Sequence, residues 1–68
     1  MALSARNHLK GTVENIQLGD VLAHVTVAVA GGVIESVITR RSAEELQIKK
    51  GDSVTAVVKA TEVMIAKP

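Results

Sequence analysis

Val21-Leu22-Ala23-His24-Val25-Thr26-Val27-Ala28-Val29-Ala30, then Gly31-Gly32, then Val33-Ile34-Glu35-Ser36-Val37-Ile38-Thr39: the reading of this stretch decides the fold. Side chains along a strand alternate between its two faces. Over residues 21–30 one face collects Val21, Ala23, Val25, Val27 and Val29, all aliphatic. The other collects Leu22, His24, Thr26, Ala28 and Ala30, a small and mixed set suited to solvent or to flat packing on a second copy. The paired glycines accept the positive φ that a tight hairpin demands. Residues 33–39 therefore return as an antiparallel neighbour.

Working outward, 9–17 reads as an earlier strand and Gly19-Asp20 as the turn that follows it. Residues 1–8 form an N-terminal arm too polar to be core. Beyond Thr39, Ser42-Ala43-Glu44-Glu45 has the spacing of a capping box, with Ser42 capping a short helix that ends near Leu46 and Glu45 reaching back. Arg40-Arg41 would then sit on extended backbone, pointing to opposite sides. Lys50-Gly51-Asp52 is a further turn, 53–59 a fourth strand and 62–66 a fifth. No linker, low-complexity tract or internal repeat divides the chain, so 1–68 is read as one domain. The expectation is an all-β fold, an OB-like five-stranded barrel with one short helix between the third and fourth strands.

Composition narrows the classes. The chain has 68 residues, is 47% hydrophobic and contains no Phe, Tyr or Trp. Its core must be aliphatic, and eleven valines, stiff at χ1 and at home on pleated surfaces, suit a sheet. A domain this small buries only about 60% of the surface its unfolded chain exposes. With no cysteine, neither disulfides nor thiolate metal sites can supply the rest, and His8 and His24 are too few for a metal cluster. Association with further copies is the remaining source of burial. The net charge of +1, from eight basic and seven acidic residues, gives no field for nucleic acid or acidic membrane. No leader peptide is recognisable and no apolar run approaches the roughly 20 residues of a membrane span. The expected location is the cytoplasm.

The chemistry concentrates in Ser4-Ala5-Arg6-Asn7, which runs into Leu9-Lys10-Gly11. On extended backbone Ser4 and Arg6 point the same way, and a guanidinium offers five N–H donors and no acceptor. Donors gathered without carboxylates are what a small oxyanion requires. Charge-assisted donors are about twice as strong as neutral ones. Farther along stand Thr39 and Ser42 around Arg40-Arg41, then Leu46-x-Ile48-Lys49-Lys50-Gly51-Asp52, Thr55-Ala56-Val57-Val58-Lys59-Ala60-Thr61 and Val63-Met64-Ile65.

Together these runs resemble the molbindin (Mop) family of small molybdate-binding proteins and domains, from about Leu3 to Ala66. The resemblance implies an OB-like Mop domain over 1–68. It implies an oxyanion site made of Ser4, Arg6, Thr39, Ser42 and Lys59, joined by the backbone N–H groups of Ala5 and Ala60. It also implies a homohexamer, a trimer of dimers, holding anions between subunits, with molybdate, or tungstate of nearly the same size and charge, as ligand. Asn7 and His8 are candidates for a second anion site, though His8 reads first as lining a subunit contact. No direct protein–metal ligand and no organic cofactor are expected. The implied role is intracellular storage, buffering or homeostasis of molybdenum.

The alternatives are weaker. Enzyme chemistry lacks a nucleophile–base pair, paired carboxylates on one face or a phosphate loop, since Gly31-Gly32 has no Lys-Ser/Thr sequel. OB folds that hold single-stranded nucleic acid stack bases on aromatic rings in a basic groove, and this chain has neither. A ligand-free oligomerisation module explains the aliphatic surfaces but leaves Ser4, Arg6 and Lys59 idle. His24 and Met64 read as structural, the latter as core filler.

Overall fold

A computed structural model describes residues 6–68 of the chain. Four strands form one antiparallel sheet: β1 (Asn7–Leu18), β2 (Leu22–Val29), β3 (Gly32–Thr39) and β4 (Ser53–Val58). Their spatial order is β3-β2-β1-β4. A helix, α1 (Arg40–Glu45), links β3 to β4, and a 3₁₀ turn, Ala60–Glu62, follows β4.

β1 holds the sheet together by serving two partners with its two halves. Its first half, Asn7 to Thr12, pairs with β4, and Gly11 to Leu18 pairs with β2. The halves overlap at Gly11 and Thr12, where β1 is flanked on both sides. The missing side chain at Gly11 makes this possible. A Cβ there would lie 2.4 Å from the Ala28 carbonyl oxygen and 2.8 Å from a Val27 methyl.

A bulge lies between Val13 and Asn15, leaving Glu14 as the extra residue. Strict alternation would send Ile16 away from the face that Val13 occupies. The bulge shifts the parity, so Val13 is buried and Ile16 packs against the same cluster, while Asn15 and Gln17 are exposed. A strand reading of 9–17 contains no local sign of this step.

The core is the aliphatic stripe anticipated for the second strand. Val13, Val25 and Val27 form its centre, with Ile16, Val29, Ile38, Ile48 and Val54 packed around them. Ala23 and Ala43 are also buried. Val21 departs from the stripe: it precedes β2, is 72% exposed and offers its carbonyl to the Arg40 backbone N–H at 2.8 Å. The hairpin falls at Gly31, with φ +88°, and Gly51 takes φ +93° in the turn before β4.

Three expectations need correction. Residues 62–66 form no strand. Ala60–Glu62 is a 3₁₀ turn, and Met64 and Ile65 beyond it are 92% and 88% exposed and join no ladder among the described residues. The OB-like sheet therefore has four strands among the described residues, not five. No ladder joins β3 to β4, so the barrel is open along that seam. The helix also starts earlier than a Ser42 cap would require. Thr39, at ψ 149°, is the N-cap, and Arg40 and Arg41 belong to the first helical turn rather than to extended backbone. Thr39 can do this because it ends β3 with extended dihedrals, which is the cap geometry. Glu45 accordingly does not reach back to Ser42; it accepts from Arg41 Nε at 3.2 Å.

α1 ends with two reversing bonds, Gln47 N–H to the Glu44 carbonyl and Ile48 N–H to the Ala43 carbonyl, both 3.1 Å. This is a Schellman ending with Gln47 at φ +53°, a place usually given to glycine. It turns Ile48 back onto the core. The seam between β3, β4 and the end of α1 is an apolar groove of about 520 Å³, walled by Val13, Val25, Ile38, Leu46, Ile48 and Val54.

Candidate functional site

The register of β1 with β4 builds the first half of the site. Asn7 lies opposite Val58. The ladder ends there, with Arg6 the residue before β1 and Lys59 the residue after β4. Ala60 then opens the 3₁₀ turn, with Lys59 as its extended N-cap residue at ψ 137°. Arg6 and Lys59 thus both adjoin the end of the ladder at which Asn7 faces Val58. Both side chains are exposed, and neither has a carboxylate or hydrogen-bond partner among the described residues. Ser4 and Ala5 lie outside the described residues.

The second half is the junction of β3 and α1. Thr39 Oγ1 accepts the Ser42 backbone N–H at 3.0 Å, and the same oxygen donates to Ser42 Oγ at 2.9 Å. The neighbouring arginines are committed elsewhere. Arg40 donates to the Gly19 carbonyl at 3.2 Å and pairs with Glu44 at 3.5 Å. Arg41 pairs with Glu45 at 3.2 Å. Both pairs have the (i, i+4) spacing that helices favour, a signal visible in the sequence once these arginines are placed on the helix. They leave Thr39 and Ser42 as neutral donors beside two already balanced cations.

The two halves do not meet within one chain. Thr39 pairs with Leu22 beside the last residues of β1, whereas Asn7 and Arg6 stand at its first. Eleven residue steps separate those ends, up to about 36 Å of strand. The described members of the expected set therefore fall into an Arg6/Lys59/Ala60 group and a Thr39/Ser42 group.

Asn7 and His8 also diverge. They are consecutive in a strand and point to opposite faces. Asn7 lines a shallow hollow of about 420 Å³ with Leu9, Ile34, Val58, Glu62 and Val63. An anion in that hollow would meet Glu62. His24 is held on the outer face of the sheet, its Nε2 3.2 Å from Glu35 Oε1, and Thr26 Oγ1 donates to the same oxygen at 2.8 Å. The Thr26 hydroxyl, ahead of the charge and hydrogen bond of His24, holds the Glu35 carboxyl below its usual range, against a smaller opposing effect of desolvation. Among the described residues no three His, Cys, Asp or Glu side chains gather as metal ligands, and no helix is long and apolar enough to cross a membrane.

This open antiparallel sheet, with donor groups at its two ends, defines an OB-like binding domain. Residues 3–65 match the TOBE domain, and the chain belongs to that family. It is 52% identical over 66 residues to molybdenum-pterin-binding protein 2 of Clostridium pasteurianum, covering 96% of this chain and 97% of that protein. A solved molybdate-binding protein from Sporomusa ovata superposes with a TM-score of 0.92 at 40% identity, covering 98% of this chain and all of that one. ModG, described as a cytoplasmic molybdate-binding protein and solved with molybdate bound, has a TM-score of 0.82 at 49% identity, covering 88% of this chain and 43% of ModG.

Proposed function

We propose that this protein binds molybdate, and tungstate alongside it, without catalysing a reaction, and that each binding site is assembled from more than one copy of the chain. The observation that carries the reading is the end of the β1–β4 ladder, where Arg6 directly precedes β1 and Lys59 directly follows β4, two cations with no carboxylate partner among the described residues. An oxyanion without protons accepts hydrogen bonds and gives none. It is attracted to such a pair and repelled wherever Glu44 or Glu45 stands. Supporting this reading are the kinship with proteins named for binding molybdenum-pterin and molybdate, and the 40% identity to a solved molybdate-binding protein over nearly the whole chain.

The donor set is Ser4, Arg6, Thr39, Ser42 and Lys59 with the backbone N–H groups of Ala5 and Ala60. Since Thr39 and Ser42 lie at the far end of β1 from Arg6 and Lys59, an anion held by both groups sits between copies. Exposed Leu22, Val33, Val37, Met64 and Ile65 supply apolar surface for such contacts, and a hexamer built as a trimer of dimers satisfies the requirement. The role that follows is storage and buffering of the oxyanion in the cytoplasm, with 1–68 acting as one domain.

The test is calorimetric titration with molybdate, tungstate, sulfate and phosphate on protein whose mass is measured by light scattering. The expected result is binding of the first two by an oligomer larger than a dimer, with sulfate weak. Equal affinity for sulfate reduces the site to a generic anion patch. A mass near 7.1 kDa during binding removes the shared-site reading.

A further inference from the structure

We propose that the apolar groove between β3 and β4 is closed by the segment Val63-Met64-Ile65 of a second copy of the chain, laid in as an added strand. The proposal rests on the reading above that copies share a site, and it says which part of one copy reaches the other. β3 and β4 are the two edge strands of the sheet, and no ladder joins them. An edge strand presents a row of unpaired N–H and C=O groups, which proteins guard with Lys, Pro or a very short strand. Neither edge is guarded in that way here. β3 runs for 8 residues with Glu35 as its one charge, and β4 runs for 6 with none. Between them lies the groove of about 520 Å³, walled by Val13, Val25, Ile38 and Val54. An extended apolar segment placed there gains main-chain hydrogen bonds and aliphatic cover together.

The occupant is identified by what the fold leaves over. Val63, Met64 and Ile65 are 47%, 92% and 88% exposed, the longest run of exposed large apolar residues among those described. Val63 is already extended, at φ −95° and ψ 122°. Alternation puts Val63 and Ile65 on one face, two aliphatic side chains for an aliphatic groove. The segment does not turn into the groove of its own chain. Val63 lines the hollow with Asn7, Leu9, Ile34 and Val58 instead, and the two residues after it stand in solvent. Each copy thus brings one uncovered groove and one uncovered segment, and exchange between copies satisfies both in equal number. The Ala60–Glu62 turn ties the segment to Lys59, so the exchange also carries Lys59 and Ala60 to the boundary between copies.

The chain has no cysteine, so introduced thiols report the contact without background. Ser36→Cys places a thiol in the groove, and Ile65→Cys places one on the segment. The two single variants, refolded together without molybdate and oxidised with diamide, should give the mixed disulfide between the two chains as the main product, identified by mass. Concentrated urea should abolish it. The Ser36→Cys/Ile65→Cys double variant should link chains to one another. A double variant that closes its disulfide within single chains would place each segment in its own groove and overturn the proposal. So would a mixture with no mixed disulfide, or with as much in urea as in buffer. Ile65→Asp provides a second measurement, since this position is exposed in the single chain and the sheet does not depend on it. It should lower the mass seen by light scattering while the β-sheet circular dichroism persists, and an unchanged mass overturns the exchange. Cross-linking is read without molybdate and titration with it, so failure of the exchange and failure of the molybdate reading are told apart.

Discussion

The two ends of β1 offer an anion different things. At the Arg6/Lys59 end the donors are full charges, exposed and uncommitted among the described residues, at the end of the β1–β4 ladder. At the Thr39/Ser42 end they are neutral hydroxyls, fixed by two short hydrogen bonds and flanked by arginines that Glu44 and Glu45 already balance. One end supplies attraction and the other supplies geometry. Only the second contributes to the fold of the empty chain, so mutations at the two ends should separate affinity from stability.

The largest effect should come from the charged end. Arg6→Ala and Lys59→Ala are each expected to weaken molybdate binding by roughly thirtyfold to a few thousandfold, the range of about 2–5 kcal/mol for truncating one partner of a charge pair that is buried once the anion is held between copies. Neither should shift the melting temperature of the ligand-free protein. Lys67→Ala, near the C-terminus, should leave affinity unchanged. Titration of all three that returned parental affinities would remove Arg6 and Lys59 from the site.

Between the two ends stands Gly11. Gly11→Ala places a methyl against the Ala28 carbonyl, a backbone atom that cannot move aside cheaply, and should cost about 1–3 kcal/mol. Urea unfolding measures this directly, and a midpoint equal to the parent's would mean that β1 bends elsewhere. At the hydroxyl end, Thr39→Ala should lower stability by about 1 kcal/mol through loss of the α1 cap. That is a melting shift of about 4–8 °C in a domain of this size. Lys59→Ala measured without ligand should show none, and equal shifts in the two variants would erase the contrast between the ends.

The smallest effect concerns acid. The carboxyl of Glu35 is held below its usual range by Thr26 and then His24. A depressed carboxyl adds stability that is complete above its unfolded value and is lost as pH falls through the folded one. Between about pH 5 and pH 3 the parent should therefore lose slightly more stability than Glu35→Gln. Parallel acid curves for the two proteins would show that this exposed cluster contributes nothing.

How much of this was legible depends on the range of the determining contacts. The β2–β3 hairpin was open to reading, because Ala23, Val25 and Val27 alternate on one face and Gly31 closes the turn. So was the family, through runs spread along the chain. The cap was misplaced because Thr39 and Ser42 are both good N-caps. The decision between them lay in the (i, i+4) partners of Arg40 and Arg41, which require a helix beginning three residues earlier. The bulge at Glu14 left only a parity mismatch between Val13 and Ile16. Residues 62–66 are apolar enough for a strand, but after β4 the chain turns through Ala60–Glu62 and joins no ladder among the described residues. The approach of Arg6 to Lys59 depends on the pairing of Asn7 with Val58, residues some fifty positions apart, which no local pattern contains.

The aliphatic core has one more consequence, an optical one. With no Trp or Tyr anywhere in the chain, the protein scarcely absorbs or emits in the near ultraviolet. It cannot be quantified by its own absorbance there, and the empty and loaded forms look alike to a fluorimeter. The same silence makes a single introduced ring the entire signal. Leu46, exposed at the rim of the groove and bonded through its backbone to the Ser42 carbonyl, is the place for it. A Leu46→Trp protein would report the β3–α1 junction against a dark background.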